Sequence, residues 1–275
     1  RQRCNWRWAY LEFVYPVMIT NMVSNRLLQN IGKYFMLVAI TSMLFFACDE
    51  NEPPENLDSP LQYFPLEIGK FRVYSVDSIN YHETIPNDTT SWQVKEILVD
   101  TFYDLTDNLN YTIERYRRQS ATDEWIIANV WSVMYDNGQL VKNENNLRFI
   151  KLVEPITADT KWNGNIYLGG LDDLPVAEEC NELTFYEDWE YTYANVHTTY
   201  DIDLFNFDNT LKVIQQGDSN LIWFDYAEEI YAENVGLIQQ DFYHYYTQDL
   251  TCPTCPWEQR VQCGFSVKMR ILDFN

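Results

Sequence analysis

The last part of the chain alternates between apolar and other side chains over residues 261–271. The apolar positions are Val261, Cys263, Phe265, Val267, Met269 and Ile271. Successive side chains of a β-strand point to opposite faces, so a period of two predicts a strand with one buried and one solvated face. This is the clearest strand in the sequence, and it constrains the fold to one that contains a half-buried sheet.

Other segments predict strands from their apolar pattern. Tyr200–Leu204 alternates in the same way, whereas residues 125–135 and 147–153 are apolar on both faces, which predicts central strands. Residues 223–234 fit both strand and helix spacing. We interpret them as a strand that turns at its end into a second strand, residues 235–239.

Turn-forming residues separate these segments. Asp136-Asn137-Gly138 supplies residues that adopt positive φ in a tight hairpin, and Asn163-Gly164, Gly169-Gly170 and Gln216-Gly217-Asp218 predict further turns. Aromatic residues make up 16% of the chain and suit a pleated, half-buried surface. We therefore predict an all-β, mainly antiparallel domain over residues 61–275: a single sandwich or a half-barrel to barrel-like sheet with few short helices.

An apolar segment near the start of the chain ends at a cysteine. Arg26 and Lys33 precede residues 34–47, which are almost wholly apolar. A positive start, a short apolar core and a small residue at its end are the features of a secretory signal. The segment is shorter than the roughly 20 residues of a membrane-spanning helix. We therefore predict a signal peptide over residues 22–47.

Leu44-Phe45-Phe46-Ala47-Cys48 resembles a lipobox, the motif of bacterial prolipoproteins, although Phe45 and Phe46 stand where the family usually has Leu and a small residue. The resemblance implies cleavage after Ala47 and lipidation of the Cys48 thiol, with the mature protein held at the membrane by acyl chains. An ordinary signal peptide that happens to precede a cysteine and an uncleaved anchor are the alternatives. Residues 1–21 are interpreted as an over-extended gene start before an initiator at Met22.

An acidic segment with three prolines follows Cys48. Residues 49–60 read DENEPPENLDSP and cannot bury enough apolar surface to fold, so residues 48–60 are predicted to be the lipidated cysteine and a solvated tether. Acids at this place resemble a signal for export to the cell surface in Bacteroidota lipoproteins, which implies an outer-membrane, surface-exposed protein. In enteric bacteria, Asp directly after the cysteine implies retention at the inner membrane, and a plain soluble spacer is the third interpretation.

Two short segments resemble uncharacterised Bacteroidota outer-membrane or surface lipoproteins. Tyr63-Phe64-Pro65-Leu66-Glu67-Ile68-Gly69, followed by residues 71–76, resembles the start of the domain in that group, and residues 231–238 (YAENVGLI) resemble a late hairpin. The resemblance implies a single β-rich domain but no activity, because the group has no settled one. Some relatives in fold are half-barrels that cradle lipid or acyl chains, which is an analogy only.

The chain is strongly acidic, with 19 Lys and Arg against 41 Asp and Glu and a net charge of −22. Removal of residues 1–47 takes away five basic residues and one acid, which leaves 14 − 40 = −26. Such charge repels nucleic acids and anionic lipid headgroups, so the membrane contact we predict is the lipid anchor, with no nucleic-acid partner. We predict no cofactor and no metal, since Asp201, Asp203 and Asp208 lack the glycine and terminal Glu of a calcium loop.

The predicted mature part contains four cysteines besides Cys48: Cys180, Cys252, Cys255 and Cys263. An even number in an exported protein predicts disulfides, and four cysteines allow three pairings between which the sequence does not choose. Residues 252–255 form a C-x-x-C motif without the strand–helix context of a thioredoxin-like site. A zinc site, a redox-active pair and free thiols are the alternatives, and the zinc site lacks a second close pair.

No residue pattern identifies a catalytic centre. His82, His197 and His244 lie in no metal-ligand motif and are interpreted as surface or strand residues, and there is no G-x-S-x-G nucleophile motif or phosphate-binding glycine loop. Acids cluster in residues 178–190, which we interpret as a solvated loop. A glycan-active or other hydrolase that uses two of these carboxylates is the alternative.

Aromatic residues recur in residues 186–193 and 243–246. Buried rings at a spacing of two form the core of a sheet, whereas exposed rings stack on sugars or line an apolar groove; we favour the core. We therefore expect a non-enzymatic binding or structural lipoprotein. Its expected partner is a glycan, an apolar ligand or another envelope protein.

Overall fold

Two one-turn helices and twelve strands form the part of the chain that the structure, a computed structural model, describes: residues 58–169, 186 and 189–275. The helices are α1 (Pro60–Tyr63) and α2 (Trp257–Arg260). The strands are β1 (Phe71–Tyr81), β2 (Asp88–Tyr103), β3 (Leu109–Arg118), β4 (Ile126–Asp136), β5 (Gln139–Glu144), β6 (Leu147–Val153), β7 (Lys161–Trp162), β8 (Tyr191–Ile202), β9 (Phe205–Ser219), β10 (Trp223–Ala232), β11 (Gly236–Tyr246) and β12 (Cys263–Phe274). None of the helices in this part of the chain has both the length and the hydropathy of a transmembrane segment.

The predicted signal peptide, Cys48 and the first part of the tether lie outside the described residues. The end of the predicted tether is described, and it belongs to the start of the domain. Ser59 caps α1, with its hydroxyl oxygen accepting from the Leu61 amide and the Gln62 side chain accepting from the Ser59 amide. Pro60 is the first residue of α1 and is buried.

All twelve strands form one sheet in which every neighbouring pair is antiparallel. The order is β6-β5-β4-β3-β2-β1-β12-β11-β10-β9-β8-β7. Strands that follow each other in the chain are therefore neighbours within two meanders, β1–β6 and β7–β12, and the pairing of β1 with β12 joins the two. The predicted all-β, antiparallel, barrel-like fold with few short helices is confirmed.

The sheet curls until its two edges nearly meet. The Ile150 amide of β6 donates to the Gly164 carbonyl at 2.8 Å, and the Trp162 indole of β7 donates back to the Ile150 carbonyl at 2.9 Å. The Tyr193 hydroxyl of β8 contacts both the amide and the carbonyl of Val153 at 2.7 Å. These contacts satisfy backbone groups of the edge strand that would otherwise lack partners.

The hydrophobic core fills the inner face of the curled sheet. Tyr74, Val94, Ile113, Val213 and Ile271 come from strands on both sides of the β1–β12 junction, and all are at most 2% exposed. Burial of a large aliphatic side chain contributes roughly 1.5–3 kcal/mol. Burial of these side chains is therefore a main source of stability. Of the alternating apolar residues predicted over 261–271, Met269 and Ile271 are buried in this core, whereas Cys263, Phe265 and Val267 are half-buried.

The helix α1 and the residue after it close one end of the sheet. α1 contacts β5 and β11, which are not neighbours in the sheet. Phe64 is 3% exposed, and the Arg72 guanidinium lies 4.4 Å from the centroid of its ring. The segment predicted from the sequence as the start of the domain therefore packs against two separate parts of the sheet.

Several local predictions are confirmed. The β4–β5 turn has Asn137 at φ 50° and Gly138 at φ 77°, as expected for a tight hairpin. Residues 223–232 form a strand rather than a helix and pair with β11 as the predicted hairpin. The final strand begins at Cys263 and ends at Phe274.

Three local predictions need correction. β4 is a central strand between β3 and β5, as predicted, but Ile126 and Val130 are 70% and 60% exposed, so it is not buried on both faces. β6 was also predicted to be a central strand, but it lies at one end of the strand order and, among the described strands, pairs with β5 alone. Gln216-Gly217-Asp218 does not form a turn, because β9 continues through it to Ser219. β10 carries an irregularity in its pairing with β9 beside this segment, between Ala227 and Glu228.

Candidate functional site

Six charged side chains form a continuous series of ion pairs through the interior, here called the interior belt. In order of contact they are Arg115, Glu96, Lys142, Glu144, Lys151 and Glu229. The distances between successive nitrogen and oxygen atoms are 3.3, 3.4, 3.1, 3.6 and 2.7 Å. Strands β2, β3, β5, β6 and β10 supply these groups, and three positive charges offset three negative ones.

Aromatic rings and hydroxyl groups surround the interior belt. The Arg115 guanidinium and the Lys142 ammonium lie 4.5 and 4.7 Å from the centroid of the Trp131 ring. The Tyr231 hydroxyl donates to the Glu229 carboxylate at 2.6 Å. An unpaired buried charge costs several kcal/mol, and these contacts together with the ion pairs offset that cost.

The interior belt holds Glu144 and Lys151 in their charged forms. Burial disfavours the charged carboxylate, but the ammonium groups of Lys142 and Lys151 outweigh it and lower the pKa of Glu144 to about 2. Burial likewise disfavours the charged ammonium, but Glu144 and Glu229 outweigh it and raise the pKa of Lys151. A general acid or base works best with a pKa near the operating pH. Neither group is suited to proton transfer near neutral pH.

A cavity of about 40 Å³ lies beside the interior belt, enclosed by its charged groups, Phe64, Tyr231 and Met269 among others. Ligand pockets usually measure about 300–1,000 Å³. The cavity is therefore of water size, and the interior of the sheet has no room there for a small-molecule ligand or an acyl chain.

A larger depression, here called the outer groove, lies on the outer face of the sheet and has a volume of about 470 Å³. Its lining residues are Phe102, Thr112, Val130, Trp131, Ser132, Asn143, Asn145 and Asn146. All eight are uncharged. Its size is that of a small-molecule site.

Strand register builds the floor of the outer groove. Thr112 of β3 lies opposite Ser132 of β4, and Ser132 lies opposite Asn143 of β5. Opposite residues in adjacent antiparallel strands point to the same face, so the three polar side chains stand side by side. The Asn143 amide nitrogen donates to the Ser132 hydroxyl at 3.0 Å.

The β5–β6 turn forms one end of the outer groove. Asn145 and Asn146 have φ values of 52° and 68°, a region that asparagine tolerates better than most residues. The Asn145 side-chain oxygen accepts hydrogen bonds from the Trp131 indole nitrogen at 3.1 Å and from the Asn129 side-chain nitrogen at 3.0 Å. The turn is therefore fixed to the strand beside it.

Two apolar side chains flank the outer groove. Phe102 of β2 is 44% exposed and Val130 of β4 is 60% exposed. The side chains of Thr112 and Asn146 make no hydrogen bond to any of the residues that the structure describes. The groove therefore offers unoccupied donors and acceptors between two apolar edges.

Cys252 and Cys255 form a disulfide, with their Cα atoms 5.4 Å apart. Cys263 is also disulfide-bonded, and Cys180 lies outside the described residues. The Cys252–Cys255 segment leads into α2, where the Trp257 ring packs 5.7 Å from the Phe224 ring. The Arg260 guanidinium lies 3.7 Å from the Trp257 ring centroid and donates to the Leu221 carbonyl at 3.0 Å, which fixes α2 to the sheet.

Each of the three histidines lies beside a carboxylate. His82 is 3.4 Å from Asp88, and His197 is 2.7 Å from Asp58. His244 is 2% exposed in β11, with Nδ1 2.5 Å from the Asp225 carboxylate. Within residues 58–169, 186 and 189–275, no three His, Cys, Asp or Glu side chains are grouped so as to hold a metal ion.

Most of the acidic stretch at 178–190 lies outside the described residues. Its described acid, Glu190, is 61% exposed and pairs with Lys161 on the surface. The aromatic residues beside it, Trp189, Tyr191 and Tyr193, are at most 2% exposed and belong to the core, as predicted. Tyr243 and Tyr246 are half-buried.

Sequence reasoning missed both the interior belt and the outer groove. One member of the belt could have been suspected from the sequence, because Lys151 lies within the otherwise mostly apolar segment 147–153. A charged side chain in a strand that is buried on both faces needs a partner of opposite charge. The partner of Lys151, Glu229, is remote in sequence. The groove has no motif, because its floor exists only once the register of three strands is known.

No protein-family model matches the chain, and no curated protein matches it. The sheet is similar to the crystal structure of a Bacteroides fragilis protein described as a "putative exported protein with YmcC-like fold", with 10% sequence identity over 77% of this chain and 99% of that one. The TM-score is 0.38.

Proposed function

We propose that the chain is the precursor of a lipoprotein that is anchored through Cys48 to the outer membrane, faces the cell surface, and acts by binding rather than by catalysis. The outer groove is the observation that carries the binding role. It is accessible, it has the size of a ligand site, and its uncharged lining sets it apart from the acidic surface expected of a chain with net charge −22.

The interior supports a binding role on the outside of the sheet. The cavity beside the interior belt measures about 40 Å³ and is lined by ionised side chains, which is unsuited to an acyl chain. The carboxylates of the belt that face it are paired with cations. The inside of the described sheet therefore acts as a scaffold.

The surface placement of Glu190 favours the interpretation of the 178–190 stretch as a solvated loop over its use by a hydrolase. A retaining or inverting glycosidase needs two carboxylates about 5–10 Å apart across a cleft. Glu190 is instead paired with Lys161 at an exposed position.

Anchoring is tested by expressing the full chain with Cys48→Ala in a Bacteroidota host. The wild-type protein is expected in the outer-membrane fraction and accessible to protease on intact cells, and the variant is expected to be released. Cys4→Ala is the matched control, because Cys4 lies in the predicted over-extended start. Unchanged membrane association of Cys48→Ala refutes the anchor.

A further inference from the structure

We propose that the outer groove binds an uncharged oligosaccharide, an inference that rests on the proposed binding function and names its ligand class. The outer groove presents hydroxyl and amide side chains between two apolar edges. This combination matches a sugar chain, in which hydroxyl groups alternate with apolar C–H faces.

Charge is the first argument for a neutral ligand. The chain contains 41 acids and 19 basic residues, yet none of them lines the outer groove. A cationic ligand is recognised by carboxylates, and an anionic ligand by Arg or Lys. The lining itself has neither group, and the charged residues that lie opposite it in the register are carboxylates, Asp100 opposite Thr112 and Glu114 opposite Val130, which repel an anionic ligand.

Hydrogen-bonding capacity is the second argument. Hydroxyl and carboxamide side chains each provide donors and acceptors, which is also true of sugar hydroxyls. The Thr112 hydroxyl and the Asn146 amide make no hydrogen bond within the described part of the chain, so they are available to a ligand. Asn145 is already held by Trp131 and Asn129, which lowers the entropy cost of ordering this end of the groove.

The position of Phe102 is the third argument. Its ring is 44% exposed at one edge of the groove, and the face of an aromatic ring carries negative charge density that attracts polarised C–H groups. Val130 provides a second apolar contact at 60% exposure. A sugar ring packed against these side chains keeps its hydroxyls directed at the floor.

The fold disfavours a peptide in the same place. A peptide that extends a sheet needs an unpaired strand edge. β2, β3, β4 and β5, which form the groove, are each paired on both sides. A purely apolar ligand is disfavoured as well, because five of the lining residues are Thr, Ser or Asn and their burial without hydrogen bonds is costly.

Calorimetric titration of the purified mature lipoprotein in a sugar-free detergent tests the inference. The probes are neutral hexasaccharides of glucose, xylose and mannose, with oligogalacturonate as the charged counterpart. At least one neutral hexasaccharide is expected to bind. Phe102→Ala is expected to weaken binding at least about 10-fold, and Thr112→Val, which keeps the shape and removes the hydroxyl, by about 3-fold to 10-fold.

Tyr103→Ala is the matched control. Tyr103 follows Phe102 on β2, is 70% exposed and does not line the groove, so affinity should change less than about 2-fold. An unchanged melting temperature for all three variants shows that the fold is intact.

Three results overturn the inference: no neutral hexasaccharide binds, only oligogalacturonate binds, or binding is indifferent to Phe102→Ala and Thr112→Val. Each of these leaves the lipid anchor at Cys48 untouched. A fourth result is that a hexasaccharide binds and is then cleaved, which shows as new reducing ends. It supports the saccharide ligand and refutes the non-enzymatic role.

Discussion

The Lys151 ammonium nitrogen lies 2.7 Å from Oε1 of Glu229, and this contact joins β6 to β10 across the inside of the sheet. The two strands are not neighbours in the hydrogen-bonding order. The side chains of Lys151 and Glu229 are 7% and 1% exposed. The contact thus connects the edge strand β6 to the opposite side of the sheet, and its loss leaves a buried charge without its partner.

Lys151→Met is expected to destabilise the protein by about 3–5 kcal/mol, because it leaves Glu229 buried without its cation. Urea unfolding at pH 7 measures the change. Lys161→Met is the matched control, since Lys161 forms an exposed pair with Glu190 at 59% and 61% exposure, so its loss should leave the stability nearly unchanged. Equal losses for the two variants contradict the importance assigned to the interior belt.

Acid should lower the free energy of unfolding by protonating Glu144. Its pKa is about 2 in the folded protein against an ordinary value of 4.5, so its stabilising contribution is fully present above pH 4.5 and is lost as the pH falls to about 2. The contribution is about 3 kcal/mol. Urea unfolding should show Glu144→Gln less stable than the wild type at pH 7, with the difference shrinking on acidification. A difference that stays constant from neutral pH down to about pH 2 refutes this assignment.

The disulfides should differ in their contribution to stability. Cys252 and Cys255 are paired at a sequence separation of three, so we expect the remaining mature cysteines, Cys180 and Cys263, to pair over 83 positions. Loop-closure entropy then gives roughly 2 kcal/mol for the first disulfide and roughly 4–5 kcal/mol for the second. Peptide mapping without reductant tests the pairing, and thermal unfolding of the two double Cys→Ser variants tests the ranking. A larger effect from the Cys252 and Cys255 variant contradicts it.

Gly264 is expected to tolerate no side chain. It has a φ of +128°, and an added Cβ would lie 2.0 Å from the His244 carbonyl oxygen on the adjacent strand. Gly264→Ala should therefore cost more than about 3 kcal/mol of stability. Gly217→Ala is the control, because Gly217 lies in β9 with no atom within 4 Å of the added Cβ, and should cost less than about 1 kcal/mol. Similar melting temperatures for the two variants contradict this account.

The fold was more predictable from the sequence than the site. Alternation in residues 261–271 predicted β12, and Asn137-Gly138 predicted the β4–β5 turn, because period and turn chemistry are local properties. The exposed face of β4 was not predicted, since Ile126 and Val130 carry no sign of which apolar residues the sheet leaves uncovered. Gly217 was wrongly predicted to form a turn. A glycine can also lie within a strand next to an irregular pairing, and Gly217 does so in β9.

The candidate site depends on contacts between remote segments. Lys151 signalled a buried charge, but its pairing with Glu229 follows from the curl of the whole sheet. Thr112 and Asn143 meet only through the register of β3, β4 and β5. The residue types in the outer groove are common on any surface, and only their grouping indicates a ligand site.

Mass spectrometry of the mature N-terminal peptide, taken from the native outer membrane, tests the central claim most directly. The account predicts a chain that begins at Cys48 and carries a diacylglycerol thioether with an acylated amine. A free Cys48 thiol, or a peptide that still continues upstream into residues 34–47, contradicts it.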